Sequence, residues 1–358
     1  MNKRNRKRLR WQIPFLFLLI IGTVYIIRQQ RPQPYQKDTG FIFGTVYHIT
    51  YQNDKDLQTG IDEALHEVDA SLSPFNPQSI ITQVNQNRTV KLNKMFTDVF
   101  SLAEEVSTET GGAFDITVAP LVNTWGFGFK KGKAPAPAVV DSLKSFVGFN
   151  KVKLVNGKII KQDPRVMLDC SGIAKGYGCD VVADFLRKNG IKNFIVEIGG
   201  EIVASGIDQK LVPWHIGVTK PTDDSLNTNQ EIETVLKVTN IGMATSGNYR
   251  NFYYKGGRKF AHTIDPHTGY PVQHSLLSST VLAKNCATAD AYATAFMVLG
   301  VNGAKAVLKK HPELMVYFIY ADDKGKLKEW YSPGMKDKIA DDQLTTVQKQ
   351  HHGRTKSL

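Results

Sequence analysis

Leu168-Asp-Cys-Ser-Gly-Ile-Ala-Lys-Gly-Tyr-Gly178 passes from an apolar residue through a Ser-Gly turn into helical spacing. The pattern predicts a strand ending at Asp169, a tight turn, and a helix with Lys175 in its first turns. Ile173, Tyr177, Val181 and Phe185 continue the helical stripe, and Asn189-Gly190 closes it. Phe194-Ile-Val-Glu-Ile198 then reads as a buried strand. The glycines fit neither GxxxxGK[ST] nor GxGxxG, so the stretch is not a P-loop or a dinucleotide fingerprint. Backbone N–H groups at a helix start favour anions, and a nearby lysine adds charge, so a diphosphate is a suitable guest. A tight turn with a solvent-facing Lys175 is the other reading, and spacing alone leaves both open.

Upstream, Phe41-Ile-Phe-Gly-Thr-Val-Tyr-His-Ile-Thr-Tyr51 alternates apolar and polar residues and suggests a strand. Ile61, Leu65, Val68 and Leu72 have helical spacing that stops near Pro74. Asn93 is placed to cap a helix whose apolar stripe is Phe96, Val99, Phe100, Ala103 and Val106, ending at Gly111-Gly112. Downstream, a helix is predicted from about Ala287 to Leu299 and a strand from Met315 to Tyr320. Strands and helices mix without strict alternation, which predicts an α+β fold. Lys130 to Pro137 reads as a surface loop, and no repeat is visible.

Three further segments carry candidate chemistry. Thr110-Gly-Gly-Ala-Phe-Asp-Ile-Thr-Val-Ala-Pro-Leu-Val-Asn-Thr-Trp-Gly-Phe-Gly128 sets small residues beside an aromatic, an Asp and a Trp-Gly turn. That suits close approach of a flat ligand, although glycine-rich helix exits are also common as plain structure. Ala244-Thr-Ser-Gly-Asn-Tyr-Arg250 precedes His262-Thr-Ile-Asp-Pro-His-Thr-Gly269, a loop with several polar side chains. His262 and His267 lie five apart on a Pro-bent loop, unlike a zinc site. Beside phosphate chemistry His262 would serve as a general acid or base. In Ala287-Thr-Ala-Asp-Ala-Tyr-Ala-Thr-Ala-Phe296, Asp290 and Thr294 share one helix face as hard oxygen donors suited to Mg²⁺. A buried Asp bonded to its neighbouring Thr is the competing reading.

The chain has 358 residues with 42% hydrophobic and 22% charged content, ordinary values for a globular enzyme. Its net charge of +12 comes mostly from the N-terminus. Lys3, Arg4, Arg6, Lys7, Arg8, Arg10, Arg28 and Arg31 occur with no acid before residue 32; the remaining 37 basic and 33 acidic residues leave only +4. Nothing in that near balance favours nucleic acid. The uncharged run from Trp11 to Ile27 is at the short limit for a membrane span. A cleaved signal peptide competes, but no small-x-small site follows, and no Cys lies nearby to carry a lipid.

The expected organisation is therefore a basic cytoplasmic segment (1–10), a transmembrane anchor (11–27), a tether (28–39), a catalytic domain (40–345) and a polar tail (346–358). The flanking charges place the protein in the inner membrane as a single-pass protein with its catalytic domain periplasmic. Cys170, Cys179 and Cys286 are too few for a disulfide scaffold and read as buried small hydrophobes.

Taken in order, Gly-Ala-Phe-Asp-Ile-Thr, Gly-Ile-Ala-Lys-Gly-Tyr, Thr-Ser-Gly-x-Tyr-Arg, His-x-Ile-Asp-Pro-x-Thr-Gly and Ala-Asp-Ala-x-Ala-Thr-Ala resemble the FAD:protein FMN transferases, the ApbE-like flavin transferase family. The resemblance spans roughly residues 40 to 325. It implies a family-specific α+β fold distinct from a Rossmann sheet, FAD as donor and Mg²⁺ as metal. It also implies a Thr or Ser hydroxyl on an acceptor flavoprotein, for instance a membrane redox pump subunit, with AMP released. On the matching positions, Asp290, Thr294 and the Gly172 carbonyl would be the metal ligands. Phe43, Phe75, Ala113, Phe114, Asp115, Asp169, Lys175 and Ile264 would contact FAD, and His262 would be the catalytic acid or base. The chain departs from the family pattern at Phe43 (usually Met), Phe75 (commonly Tyr), Cys170-Ser171 (usually Leu-Gly) and Glu197 and Glu201 (typically Asn and Asp). An FAD pyrophosphatase, with water replacing the acceptor hydroxyl, would use the same residues. A non-catalytic flavin-binding module would need neither the metal pair nor His262.

Overall fold

The structure is a computed structural model that describes residues 12–23, 33–128, 134–221, 231–248, 252–255 and 258–340. The basic segment 1–10, both ends of the apolar run, the first part of the tether, part of the 130–137 loop, Tyr249-Arg250 and the polar tail lie outside these residues.

In chain order the elements are α1 (Gln12–Thr23), β1 (Tyr35–Ile42), β2 (Thr45–Gln52), α2 (Gln58–Leu72), α3 (Ile80–Asn85), α4 (Lys94–Glu109), α5 (Ala119–Trp125) and α6 (Pro137–Lys144). A 3₁₀ turn (Phe149–Lys151) leads into β3 (Val152–Val155), β4 (Lys158–Lys161), α7 (Ala174–Lys188), β5 (Phe194–Ile198), β6 (Glu201–Ser205) and β7 (Trp214–Thr219). The rest is β8 (Ile232–Val238), β9 (Ile241–Gly247), β10 (Phe252–Lys255), β11 (Arg258–Ala261), β12 (Leu276–Ala283), α8 (Cys286–Leu308), β13 (Met315–Ala321), β14 (Leu327–Tyr331) and α9 (Pro333–Lys336).

Eight strands form one antiparallel sheet in the order β1-β2-β5-β6-β9-β12-β13-β14. The β7–β8 hairpin covers one face through Trp214, Ile216, Val218, Leu236 and Val238, packed on Ile202, Met243, Leu282, Tyr317 and Ile319. Helices α7 and α8 cover the other face, with α2 and α4 behind them. Both faces are thus dry, which is why every residue of β6, and all but one of β12, is buried. This is an α+β arrangement with the helices segregated to one side of the sheet. Helix α8 is apolar and long enough to cross a membrane, but here its Ala287–Met297 stretch is buried in the core almost throughout.

Several sequence expectations hold. Asn93 caps α4, its side chain accepting the Phe96 N–H at 2.9 Å, and the whole predicted α4 stripe is buried. Helix α8 begins behind an Asn285 cap, and its first segment breaks at Gly300 (φ 67°, ψ 179°), one residue past the predicted end.

Others are corrected. The tether assigned to 28–39 is already β1 from Tyr35 onward, paired Tyr35↔Gln52 to Ile42↔Thr45. The run 41–51 is not one strand but a hairpin that turns at Phe43-Gly44, with φ of 52° and 75°. Phenylalanine is an unfavourable left-handed residue. Its ring lies so close over α7 that a Cβ on Gly178 would stand 2.7 Å from it, and that burial offsets the strain. No strand ends at Asp169: only an isolated bridge Val118↔Met167 forms. The Asn85 side chain replaces a partner strand, donating to the Leu168 carbonyl at 2.8 Å and accepting its N–H at 2.7 Å. Helix α7 forms as its spacing predicts, with Ile173 buried and Tyr177, Val181 and Phe185 packed partly buried against the core, while Gly176, Cys179, Val182, Ala183 and Leu186 are buried more deeply. Small residues face α8 because the two helices nearly touch: a Cβ on Gly176 would meet the Cys286 carbonyl oxygen at 2.5 Å.

Candidate active site

A cleft of about 480 Å³ opens where the glycine-rich turns meet the first turns of α7 and α8. Ala113, Phe114, Asp115, Asp169, Gly172, Lys175, His262, Ile264, Asp290 and Thr294 all line it, with Phe75 at its rim, 70% exposed. Phe43 alone of the expected residues is elsewhere. It lines a smaller adjoining cavity with Phe75, Ser171 and Lys175.

Each segment reaches the cleft for a local reason. Helix α4 ends at Glu109, and Gly111 and Gly112 (φ 62° and 87°) reverse the chain toward Ala113-Phe114. Asp115 braces this turn: Oδ1 accepts the Thr117 N–H and hydroxyl, both at 2.7 Å, and Oδ2 accepts the Phe149 N–H at 2.9 Å. Burial pushes its carboxyl up, and those hydrogen bonds oppose the shift. With both oxygens engaged, Asp115 shapes the wall; it offers little free carboxylate. Asp169 folds the next turn, accepting the Ser171 N–H at 2.8 Å and the Ser171 hydroxyl.

The loop from His262 to Gly269 is clamped at its far end. His267 meets the Gly111 carbonyl at 2.9 Å through Nε2 and Asp265 at 3.1 Å through Nδ1, and the Trp125 indole N–H donates to Gly269 O at 2.8 Å. His267 is therefore a fastener. His262, just after β11, lines the cleft with Phe127 edge-on at 6.5 Å.

The charged wall is built by α7, β6 and α8. Asp290 is 2% exposed and accepts the Gly176 N–H at 3.0 Å. Its hydrogen bond is thus to α7, not to Thr294, whose hydroxyl lies 3.4 Å from that of Ser246. Gly172 comes against Thr294, since a Cβ there would stand 3.1 Å from Oγ1. Lys175, with a side chain 30% exposed, bonds Glu201 Oε1 at 2.5 Å, so it is not the free surface lysine that spacing allowed. Burial alone would pull Lys175 down, but Glu201 and Asp290 outweigh it and keep the ammonium charged. Burial pushes Asp290 up, and Lys175 and the Gly176 N–H oppose it. Lining residues that sequence reading did not assign include Glu201, Ser246, Val118, Val122, Phe127 and Val298. Glu201 stood out only as a departure from a family pattern; its burial is a tertiary property.

Asp180 fixes the height of Asp290. Its two oxygens accept the Cys286 and Ala287 N–H groups at 2.8 Å each, tying the first turn of α8 to α7. Burial raises its carboxyl to about 6, although both N–H groups oppose the shift. The folded protein therefore holds this proton more tightly than the unfolded chain, where the value is 3.8. Ionising Asp180 costs fold stability as pH rises through that window. Asp180→Asn cannot ionise. Its stability relative to the unaltered protein should rise by on the order of 2–3 kcal/mol between pH 4 and pH 7, at ~1.4 kcal/mol for each pH unit separating the folded and unfolded values. Urea unfolding at both pH values measures this, and a constant difference would refute it.

The sequence model of the ApbE family matches residues 43–318. A Haemophilus influenzae protein named FAD:protein FMN transferase is 38% identical over 331 residues, covering 86% of this chain and 94% of its own. One of that name from Vibrio cholerae is 34% identical over 337 residues, covering 91% and 98%. The solved structure of the flavin transferase ApbE from Vibrio cholerae superposes with a TM-score of 0.77 at 34% identity, covering 86% of this chain and all of that one. The same order of motifs, an antiparallel sheet backed by α7 and α8, and relatives matched over nearly their whole length lead to one assignment: this chain belongs to the ApbE family.

Proposed function

We propose that this enzyme is an FAD:protein FMN transferase that splits FAD at its diphosphate, joins FMN to a Thr or Ser hydroxyl of an acceptor flavoprotein, and releases AMP with the help of Mg²⁺. The observation that carries this reading is convergence: Asp169, Gly172, Lys175, His262, Asp290 and Thr294, separated by up to 125 positions, line one cleft.

The donor set suits Mg²⁺. Asp290, Thr294 and the Gly172 carbonyl are hard oxygen donors with one carboxylate among them, and Mg²⁺ commonly takes one or two carboxylates plus substrate phosphates. Among the described residues no group of three His, Cys, Asp or Glu gathers as a soft or all-protein metal cage would require. When bound, the ion would neutralise phosphoryl oxygens. Lys175 would hold the diphosphate by charge, and a ring nitrogen of His262 would take the proton of the acceptor hydroxyl. That oxygen bonds to the FMN phosphorus, the bond from phosphorus to the AMP oxygen breaks, and AMP leaves with the electron pair. Incubation with FAD and a candidate acceptor, read by intact mass, tests donor and reaction class together. The expected result is an acceptor heavier by one FMN group. Free FMN and AMP beside an unmodified acceptor would make the chain a pyrophosphatase, and no turnover would make it a binding module.

The same reading places the catalytic domain outside the inner membrane, anchored by the N-terminal apolar run. Helix α1 covers 12 residues of it, fewer than the ~20 a span usually needs, so the anchor would draw on the flanking uncharged residues. Protease added to spheroplasts should digest the folded domain, and its protection there would overturn the topology.

A further inference from the structure

Glu201 opens β6 directly after the Gly199-Gly200 turn and is only 3% exposed. A carboxylate so buried is costly unless paired, and its pair is Lys175. One oxygen, Oε1, takes the ammonium at 2.5 Å; Oε2 has no hydrogen-bond partner among the described residues. Glu201 and Lys175 both line the cleft beside Asp290. Lysine is a point charge on a flexible stem, so its position must be imposed. Two carboxylates compete to impose it. If Glu201 did not hold the ammonium, Asp290 would attract it, and the ammonium would compete with a metal for that carboxylate.

We propose that Glu201 is a positioning residue: it holds the Lys175 ammonium at the cleft wall, ready for the diphosphate and away from Asp290. The inference rests on the reading that Lys175 serves the diphosphate of FAD. It requires the charge of Glu201, and its shape alone does not suffice. Glutamine is the closer isostere, whereas aspartate is shorter by one methylene but keeps the charge. A merely structural role therefore ranks Glu201→Gln above Glu201→Asp, and a positioning role reverses that order.

The test is FAD titration followed by flavin fluorescence, with and without Mg²⁺, on Glu201→Gln, Glu201→Asp, Lys175→Met and the double variant Lys175→Met/Glu201→Gln. Thermal melting establishes that each is folded. Glu201→Gln should weaken FAD binding about tenfold, the scale of losing one hydrogen bond to a charged group, and Glu201→Asp by about threefold or less. In the Lys175→Met background Glu201→Gln should add nothing, since its effect runs through the lysine. Additive losses, or better binding by Glu201→Gln than by Glu201→Asp, would overturn the proposal and leave Lys175 in its role. Unchanged affinity in Lys175→Met would instead remove the reading of Lys175, and the proposal with it. If Glu201→Gln does not fold, Glu201→Asp decides: near-normal affinity supports positioning, and a loss as large as that of Lys175→Met overturns it.

Discussion

Asp290→Asn is expected to abolish Mg²⁺-dependent transfer while the protein stays folded. Asparagine keeps the size of the side chain and an oxygen to accept the Gly176 N–H, but removes the only carboxylate among the three candidate ligands. Asp290→Ala is a poorer probe, because it also leaves the buried Gly176 N–H without its acceptor. The fold itself should not suffer from the amide, since burial already disfavours the charged carboxyl of Asp290. Thr294→Ala should be milder: it removes a neutral hydroxyl, and high Mg²⁺ should partly restore the rate by mass action. Calorimetric titration of Mg²⁺ in the presence of FAD separates these cases. Full-strength metal binding by Asp290→Asn would reduce Asp290 to a brace between α7 and α8.

His262→Ala should lower turnover by roughly 10²–10⁴-fold while FAD affinity changes little, the signature of a lost general base. The structure sharpens this expectation by separating the two candidate bases on the loop. His262 lines the cleft, whereas Asp265 stands outside its lining and has Oδ1 engaged by the His267 N–H at 2.9 Å. Single-turnover rates and FAD titration on the same variant distinguish the roles. An equal loss of rate and affinity would make His262 a contact residue and leave the proton to another group.

The candidate segments were readable because the features that mark them are local. Asp290 and Thr294 share a helix face through a spacing of four, Gly111-Gly112 ends α4 where a left-handed turn is needed, and Asn93 caps the helix that follows it. Such features depend on residues a few positions apart, and so does the apolar stripe of α4. The α+β class was legible for the same reason: each period of the pattern is a property of one element.

What the chain alone did not reveal are contacts between distant positions. Asn85 stands in for a strand at Leu168 across 83 residues, and nothing in the local pattern at Leu168 distinguishes a side-chain amide from a neighbouring strand. The apolar spacing marked α7 correctly, but the close approach of α8 depends on Gly176, whose part in that contact no local pattern shows. Phe43 turns left-handed because Gly178, 135 positions on, leaves room for its ring. Sequence therefore marked which residues are candidates for the chemistry and, for Lys175, Asp290 and Thr294, which helices carry them. Tertiary packing decided that Lys175 is held by Glu201 and that Asp290 is bonded to α7. Burial and electrostatic partners are sums over the whole fold, and no local stretch of sequence contains them.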